Sequence, residues 1–153
     1  MKILVVSDSF KGSMTSKKVE MTICDYYQNH HLEATYLPIS DGGEGFLDAI
    51  NDSFQLEKQQ MQVEDANFNY TESAYIIDQK NKIAYLELAQ SIGLAKLDKN
   101  KLNALYASSF GFGHLIKEII LKYQIKKIII GIGGSATSDL GCGMLEALGV
   151  EFI

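Results

Sequence analysis

Residues 127–143 read Lys127-Ile128-Ile129-Ile130-Gly131-Ile132-Gly133-Gly134-Ser135-Ala136-Thr137-Ser138-Asp139-Leu140-Gly141-Cys142-Gly143. The opening run, 127–132, is short and almost continuously apolar, as in a strand buried on both faces of a parallel sheet. Five glycines then fall within the thirteen residues 131–143, and residues 144–148 carry a helical pattern. Strand, glycine-rich loop and helix in this order are the repeating unit of a wound α/β sheet.

The same unit recurs at the other end of the chain. Residues 2–6 are a second apolar run, followed by a polar loop at 7–13. Val19, Thr22, Ile23, Tyr26 and Tyr27 then recur at helical spacing and predict an amphipathic helix over 15–29. Residues 34–39 read as a strand, 40–45 as a loop (Ser40-Asp41-Gly42-Gly43-Glu44-Gly45), and Phe46, Leu47 and Ile50 open another helix.

The middle of the chain differs. Met61 and Val63 alternate with polar residues, 74–77 and 83–88 are extended runs, and the polar link 78–82 suits a hairpin. A polar connection at 98–105 leads to the glycine-containing stretch 108–113, read as a loop, and a helix over 114–123. The last residues, 150–153, read as the start of another strand. The expected fold is therefore α/β, a wound and largely parallel sheet with helices on both faces plus an antiparallel hairpin segment. The expected division is an α/β segment at 1–55, an antiparallel segment at 56–90, and a second α/β segment with the glycine-rich loop at 91–153. Ending on apolar Val150-Glu151-Phe152-Ile153, the chain reads as cut short.

In a parallel sheet the carboxyl ends of the strands share one edge, where ligands bind. The loops at 7–13, 40–45 and 131–139 are expected to converge there. Glycines at 131–143 let backbone approach a ligand closely, and their N–H groups with the next helix N-terminus suit an anion such as phosphate. Ser135 and Thr137 add hydroxyl donors. The same glycines also fit a tight strand-to-helix connection. Asp8, Asp41, Glu44 and Asp139 supply carboxylates able to hold Mg²⁺ or accept a proton from an attacking hydroxyl. Asp41 before Gly42-Gly43 equally fits a turn former. Lys11 is the one cation of these loops, placed to offset phosphate charge or to remain a solvated lysine.

Composition excludes several classes. The net charge is −5 and none of the 14 basic residues is arginine, which argues against a nucleic-acid surface. No apolar run is long enough to span a bilayer, and the N-terminus lacks a signal-peptide core. A cytoplasmic location without membrane contact is expected. Cys24 and Cys142 read as two buried, reduced thiols. No Gly-x-x-x-x-Gly-Lys-Ser/Thr string is present, so the chain is not a P-loop protein.

At these loops the sequence resembles the bacterial glycerate kinase family of the tartronate- and glycolate-pathway type. The strings that carry the resemblance are Asp8-Ser9-Phe10-Lys11-Gly12-Ser13, Asp41-Gly42-Gly43-Glu44-Gly45, and Gly131-Ile132-Gly133-Gly134-Ser135-Ala136-Thr137 with Asp139, Gly141 and Gly143. Glu87-Leu88-Ala89 with Gly93-Leu94 matches as well. The resemblance covers the whole chain and implies the first two-fifths of a two-domain kinase with its site in the cleft between domains. It implies transfer of a phosphoryl group from ATP to D-glycerate, giving a phosphoglycerate, with Mg²⁺. By position, Asp8, Ser9 and Lys11 line the cleft, Asp41, Gly42, Gly43 and Glu44 meet substrate or metal, and Gly133, Gly134, Ser135 and Thr137 meet phosphate. Asp8, Lys11, Asp41, Glu44 and Asp139 are the catalytic candidates, with the base unassigned.

The chain departs from the family pattern at several positions. Ser7 replaces proline, Ser138 and Leu140 replace asparagine and glycine, and Ala107, Phe110, Phe112 and His114 replace polar residues. The two phenylalanines are expected to remove donors for an anionic substrate. Two other readings stand beside the kinase. Gly131-Ile132-Gly133-Gly134-Ser135-Ala136 fits a loose dinucleotide fingerprint, with Glu151 twenty residues after Gly131, and points to an NAD(P)-binding protein. The other is a non-catalytic fragment whose uncovered sheet makes it self-associate.

Overall fold

The computed structural model of the chain describes every residue except Ser9, Lys11, Gly12, Lys99 and Lys101. Strand β1 (Lys2–Val5) and strand β2 (Glu33–Tyr36) pair in parallel, with Ile3 opposite Ala34 and Val5 opposite Tyr36. Helix α1 (Ser16–Asn29) connects them. Thr15 caps it, its hydroxyl accepting from the Lys18 N–H at 3.4 Å, which satisfies one of the free donors of the first turn. Cys24 and Tyr27 of α1 pack onto Val5, Ala34 and Tyr36, so the helix covers one face of this two-stranded sheet.

Helix α2 (Phe46–Phe54) leads into a four-stranded sheet. Strands β3 (Lys58–Glu64), β4 (Tyr70–Asp78) and β5 (Ile83–Glu87) form an antiparallel meander, because the links between them are too short for a crossover. Strand β6 (Lys127–Gly131) then adds to β5 in parallel, giving the order β3-β4-β5-β6. Its crossover contains helix α3 (Ala89–Ile92), a 3-10 turn at Leu94–Lys96 and helix α4 (Phe110–Lys122). Helix α5 (Cys142–Ala147) follows the glycine-rich loop.

Side chains of the sheet alternate between two cores, as the pleat requires. Tyr75, Ile77, Ala84 and Leu86 face a large cluster with Phe112 and Leu115 of α4. Ile76 and Tyr85 point the opposite way and pack on Leu47 of α2. The α/β class, the helices on both faces and the hairpin are present as expected. Among the described residues, two ladders are parallel and two antiparallel, a larger antiparallel share than expected. Segments 56–90 and 91–153 contribute β5 and β6 to one sheet.

Three local expectations are corrected. The stretch 108–113 is no loop, because α4 already begins at Phe110. Its glycines serve close packing: a Cβ on Gly111 would lie 1.8 Å from the Glu64 carbonyl oxygen, and one on Gly113 would lie 2.3 Å from that of Met144. Residues 150–153 form no strand. Only Cys24 is buried, whereas Cys142 is exposed at the start of α5. Among the described residues no helix is long and apolar enough to cross a membrane.

Candidate functional site

The first loop leaves β1 and folds back over the start of α1. The Ser7 N–H donates to Glu20 Oε1 at 2.9 Å, and Glu20 is fully buried. Phe10 and Met14 then form an isolated antiparallel bridge, closed by a bond from Ser13 N–H to the Phe10 carbonyl at 2.8 Å. Asp8 is exposed on this loop. Ser9 and Lys11, expected to line the cleft, lie outside the described residues.

The second loop is a tight turn built by its own side chains. Asp41 Oδ1 accepts the Gly43 N–H at 2.7 Å, and Ser40 Oγ accepts the Gly42 N–H at 3.1 Å. Asp41 thus acts as a turn former. Gly45, with φ of 92°, starts α2 from a left-handed conformation that favours glycine. Behind the turn, Glu87 at the end of β5 is 1 % exposed. Its Oε2 accepts the Leu47 N–H and its Oε1 the Gln90 side-chain amide, both at 3.0 Å. The carboxylate therefore satisfies a first-turn donor of α2 from the strand on which that helix packs. Sequence reading noted Glu87 only within a matching segment. The signal that identifies it is an acid ending an otherwise apolar strand.

The third loop is tied by backbone bonds to the second loop and to residues 92–94. The Gly133 N–H donates to the Gly42 carbonyl at 2.8 Å, the Leu94 N–H to the Gly134 carbonyl at 3.0 Å, and the Ala136 N–H to the Ile92 carbonyl at 2.9 Å. A Cβ on Gly133 would lie 2.5 Å from Gly43 Cα, and one on Gly131 would lie 2.7 Å from the Gly42 carbonyl oxygen. Packing alone therefore demands two of the loop's glycines. Ser135 Oγ and Thr137 Oγ1 bond to each other at 3.0 Å, and Ser135 Oγ also accepts the Thr137 N–H at 3.1 Å.

Asp139 is half-buried and engaged by the protein's own donors. Its Oδ2 accepts the Ser109 N–H and hydroxyl, both at 2.7 Å, and the Gly143 N–H at 3.1 Å, while its Oδ1 accepts the Gly141 N–H at 3.2 Å. Burial pushes this carboxyl upward, but these donors outweigh it and hold the acid below its ordinary range. Ser109 Oγ in turn accepts the Met144 N–H at 2.9 Å. The anion expected at the start of α5 is thus the protein's own: Asp139 and Ser109 take the donors there.

Two cavities open on the carboxyl side of the strands. One, of about 470 Å³, is bordered by Phe10 and Ser13 of the first loop, Glu44, and Glu87, Gln90 and Lys96. The second, of about 490 Å³, lies between the second and third loops, against Asp41, Gly43, Glu44, Leu94, Gly133 and Gly134. Glu44 borders both. Lys96, absent from the sequence-based candidates, donates to the Glu72 and Gln90 carbonyls. Burial lowers its pKa, with Glu87 and Glu72 acting against that shift. Ser135 and Thr137 instead border a third cavity of about 450 Å³ with Phe112, Asp139 and Met144. Phe110 turns away from the loops altogether: its ring lies 6.0 Å from that of Phe68, beside the Glu64–His114 pair at 2.7 Å. The dinucleotide reading needs a helix starting at the loop's third glycine, but α5 starts only at Cys142.

Residues 3–153 match the sequence profile of the glycerate kinase family. The chain is 38% identical over 153 residues to a glycerate kinase of Halalkalibacterium halodurans, covering 99% of this chain and 40% of that protein. It is 34% identical over 153 residues to the glycerate 2-kinase of Escherichia coli, covering 99% of this chain and again 40% of the relative. A Salmonella typhimurium crystal structure, described provisionally as glycerate kinase 2, superposes with a TM-score of 0.80 at 32% identity, over 97% of this chain and 40% of that one. The chain therefore spans about two-fifths of the length of the relatives it matches.

Proposed function

The chain belongs to the glycerate kinase family, and from that membership we propose that it forms part of an enzyme transferring a phosphoryl group from ATP to D-glycerate. The observation that carries the reading is the position of Glu44 on the wall shared by the two cavities. Phosphoryl transfer asks for a donor and an acceptor held side by side, with a group between them that orients the attacking hydroxyl.

In this reading the nucleotide phosphates lie in the cavity beside Gly133 and Gly134, and the hydroxy acid lies in the cavity reached by the first loop. Glu44 accepts the proton of the attacking hydroxyl, and Asp8 and Lys11 are further groups we assign to the substrate by their places in the family motif. Asp139 acts as a positioning residue, since its oxygens hold the starts of α4 and α5. Gly42 and Gly43 contribute backbone of the second loop, Ser135 and Thr137 border the neighbouring third cavity, and Ser9 is assigned to the site only by its place in the family motif. Among the described residues no three His, Cys, Asp or Glu side chains are grouped to hold a metal by themselves. A Mg²⁺ ion held chiefly by nucleotide phosphates needs only one or two carboxylates, a demand Asp41 alone would meet. Bound there, it would neutralise phosphate charge.

The test is ADP release by the purified 153-residue chain with Mg-ATP, with and without D-glycerate. Glycerate-dependent release that Glu44→Gln reduces by at least about tenfold is the expected result for a working site. Equal release by wild type and Glu44→Gln would remove Glu44 from the chemistry.

A further inference from the structure

Among the described residues, the charged side chains bordering the cavity of about 470 Å³ are Glu44, Asp48, Glu87 and Lys96. Two of them are already engaged by the protein. Asp48 Oδ1 pairs with Lys58 Nζ at 2.6 Å. Glu87 gives one oxygen to the Leu47 N–H and the other to the Gln90 side-chain amide. That leaves Glu44 and Lys96. Among the described residues the Glu44 carboxylate has no hydrogen-bond partner, and Lys96 is in no ion pair. The Lys96 ammonium is held by main-chain oxygens alone, the Glu72 carbonyl of β4 at 2.8 Å and the Gln90 carbonyl of α3. Two neutral acceptors fix its position without neutralising it. An ammonium has three N–H donors, so one donor and an unpaired positive charge remain at the cavity wall.

We propose that Lys96 anchors the carboxylate of the hydroxy acid and thereby makes this cavity selective for an anionic acceptor. The proposal rests on the reading above, in which the acceptor occupies this cavity. A charge-assisted bond to a carboxylate is about twice as strong as a neutral one, and Lys96 is the one cation on this wall among the described residues. A hydroxy acid held there is gripped by its non-reacting end. Glu44, the other unpaired charge, is then the group left for a hydroxyl. The competing role for Lys96 is a purely structural staple between β4 and α3. A staple would affect charged and neutral ligands alike, whereas an anchor would affect only the charged one.

The experiment measures binding of D-glycerate and of its neutral amide, D-glyceramide, to the 153-residue chain by ligand-observed NMR titration without ATP. Wild type should prefer the acid. Lys96→Met should weaken glycerate binding by at least about tenfold and leave glyceramide within about twofold, the loss of one charged hydrogen bond. Lys96→Arg, which keeps the charge, should keep the preference. A second measurement needs no variant and so stands even if Lys96→Met does not fold. D-glycerate should protect Lys96 of wild type from acetic anhydride by at least about threefold, read by mass spectrometry, with glyceramide giving no protection. Exposed Lys2 should be unaffected by either compound. Equal weakening of acid and amide in Lys96→Met, an unchanged preference, or Lys96 acetylation indifferent to glycerate would overturn the proposal and leave the acceptor's place in the cavity standing. Failure of wild type to bind either compound would overturn that placement as well.

Discussion

The backbone N–H of Gly133 donates to the carbonyl of Gly42 at 2.8 Å, joining loops that lie about ninety residues apart in sequence. The contact is possible only because neither loop carries a side chain where they touch. It brings Gly133 beside Asp41, Gly43 and Glu44 around one cavity.

Gly133→Ala is therefore expected to destabilise the chain by about 1–3 kcal/mol, the usual range for forced overpacking. Its Cβ would meet Gly43 Cα at 2.5 Å and Gly43 N at 2.9 Å, and backbone has little freedom to yield. Gly45→Ala is the comparison, since nothing lies within 4 Å and only its positive φ opposes the change. Urea midpoints should fall further for Gly133→Ala than for Gly45→Ala. The reverse order would mean that loop contact contributes little.

Asp139→Ala strips the acceptor from three backbone N–H groups and one hydroxyl. A loss of about 2 kcal/mol or more is expected, as for buried donors left unpaired. The acid's folded pKa is depressed, so its contribution is fully present above the unfolded value and disappears as pH falls through the folded one. The stability gap between wild type and Asp139→Asn should be constant above about pH 5 and shrink below about pH 4. A gap independent of pH would show that the charge is not what the donors hold.

Leu140 occupies the left-handed region at φ of 56° and is 95% exposed. A leucine there is strained and buries almost nothing in return. Leu140→Gly should raise stability by up to about 1 kcal/mol, the relief of a left-handed L-residue less the chain entropy of glycine. A lower melting temperature in the variant would count against that conformation.

The two cysteines should react at very different rates. Cys142 is exposed, whereas Cys24 is buried and its thiol is pushed up by burial, with Asp25 and Glu20 adding to the shift. An aromatic disulfide reagent should modify one thiol at once, and the second only with unfolding. Two fast equivalents would mean that α1 does not stay packed on its sheet.

Much of the fold was legible because it is written in local patterns. Apolar runs at β1 and β6, the helical spacing of Val19, Ile23 and Tyr27, and the short polar link 78–82 each depend on neighbours in sequence. The glycines of 108–113 misled for the opposite reason. Gly111 and Gly113 look like a loop locally, yet they are helical because the backbones of β3 and α5 approach them closely. Phe110 and Phe112 show the same dependence: one stacks near Phe68 and the other fills the core, and neither direction follows from its position in the string.

The sequence by itself determined the α/β class, the three loops at 7–13, 40–45 and 131–139, and the family whose motifs those loops carry. Only the tertiary structure decided what each loop residue does. It turned Asp139 inward to bind the starts of two helices, placed Glu44 between two cavities, and brought Glu87 forward as a buried acid. Residue type and spacing record periodicity, which sets the elements. Whether a carboxylate meets solvent, a ligand or another loop's N–H depends on which distant backbone packs against it, and that is set only when the chain closes on itself.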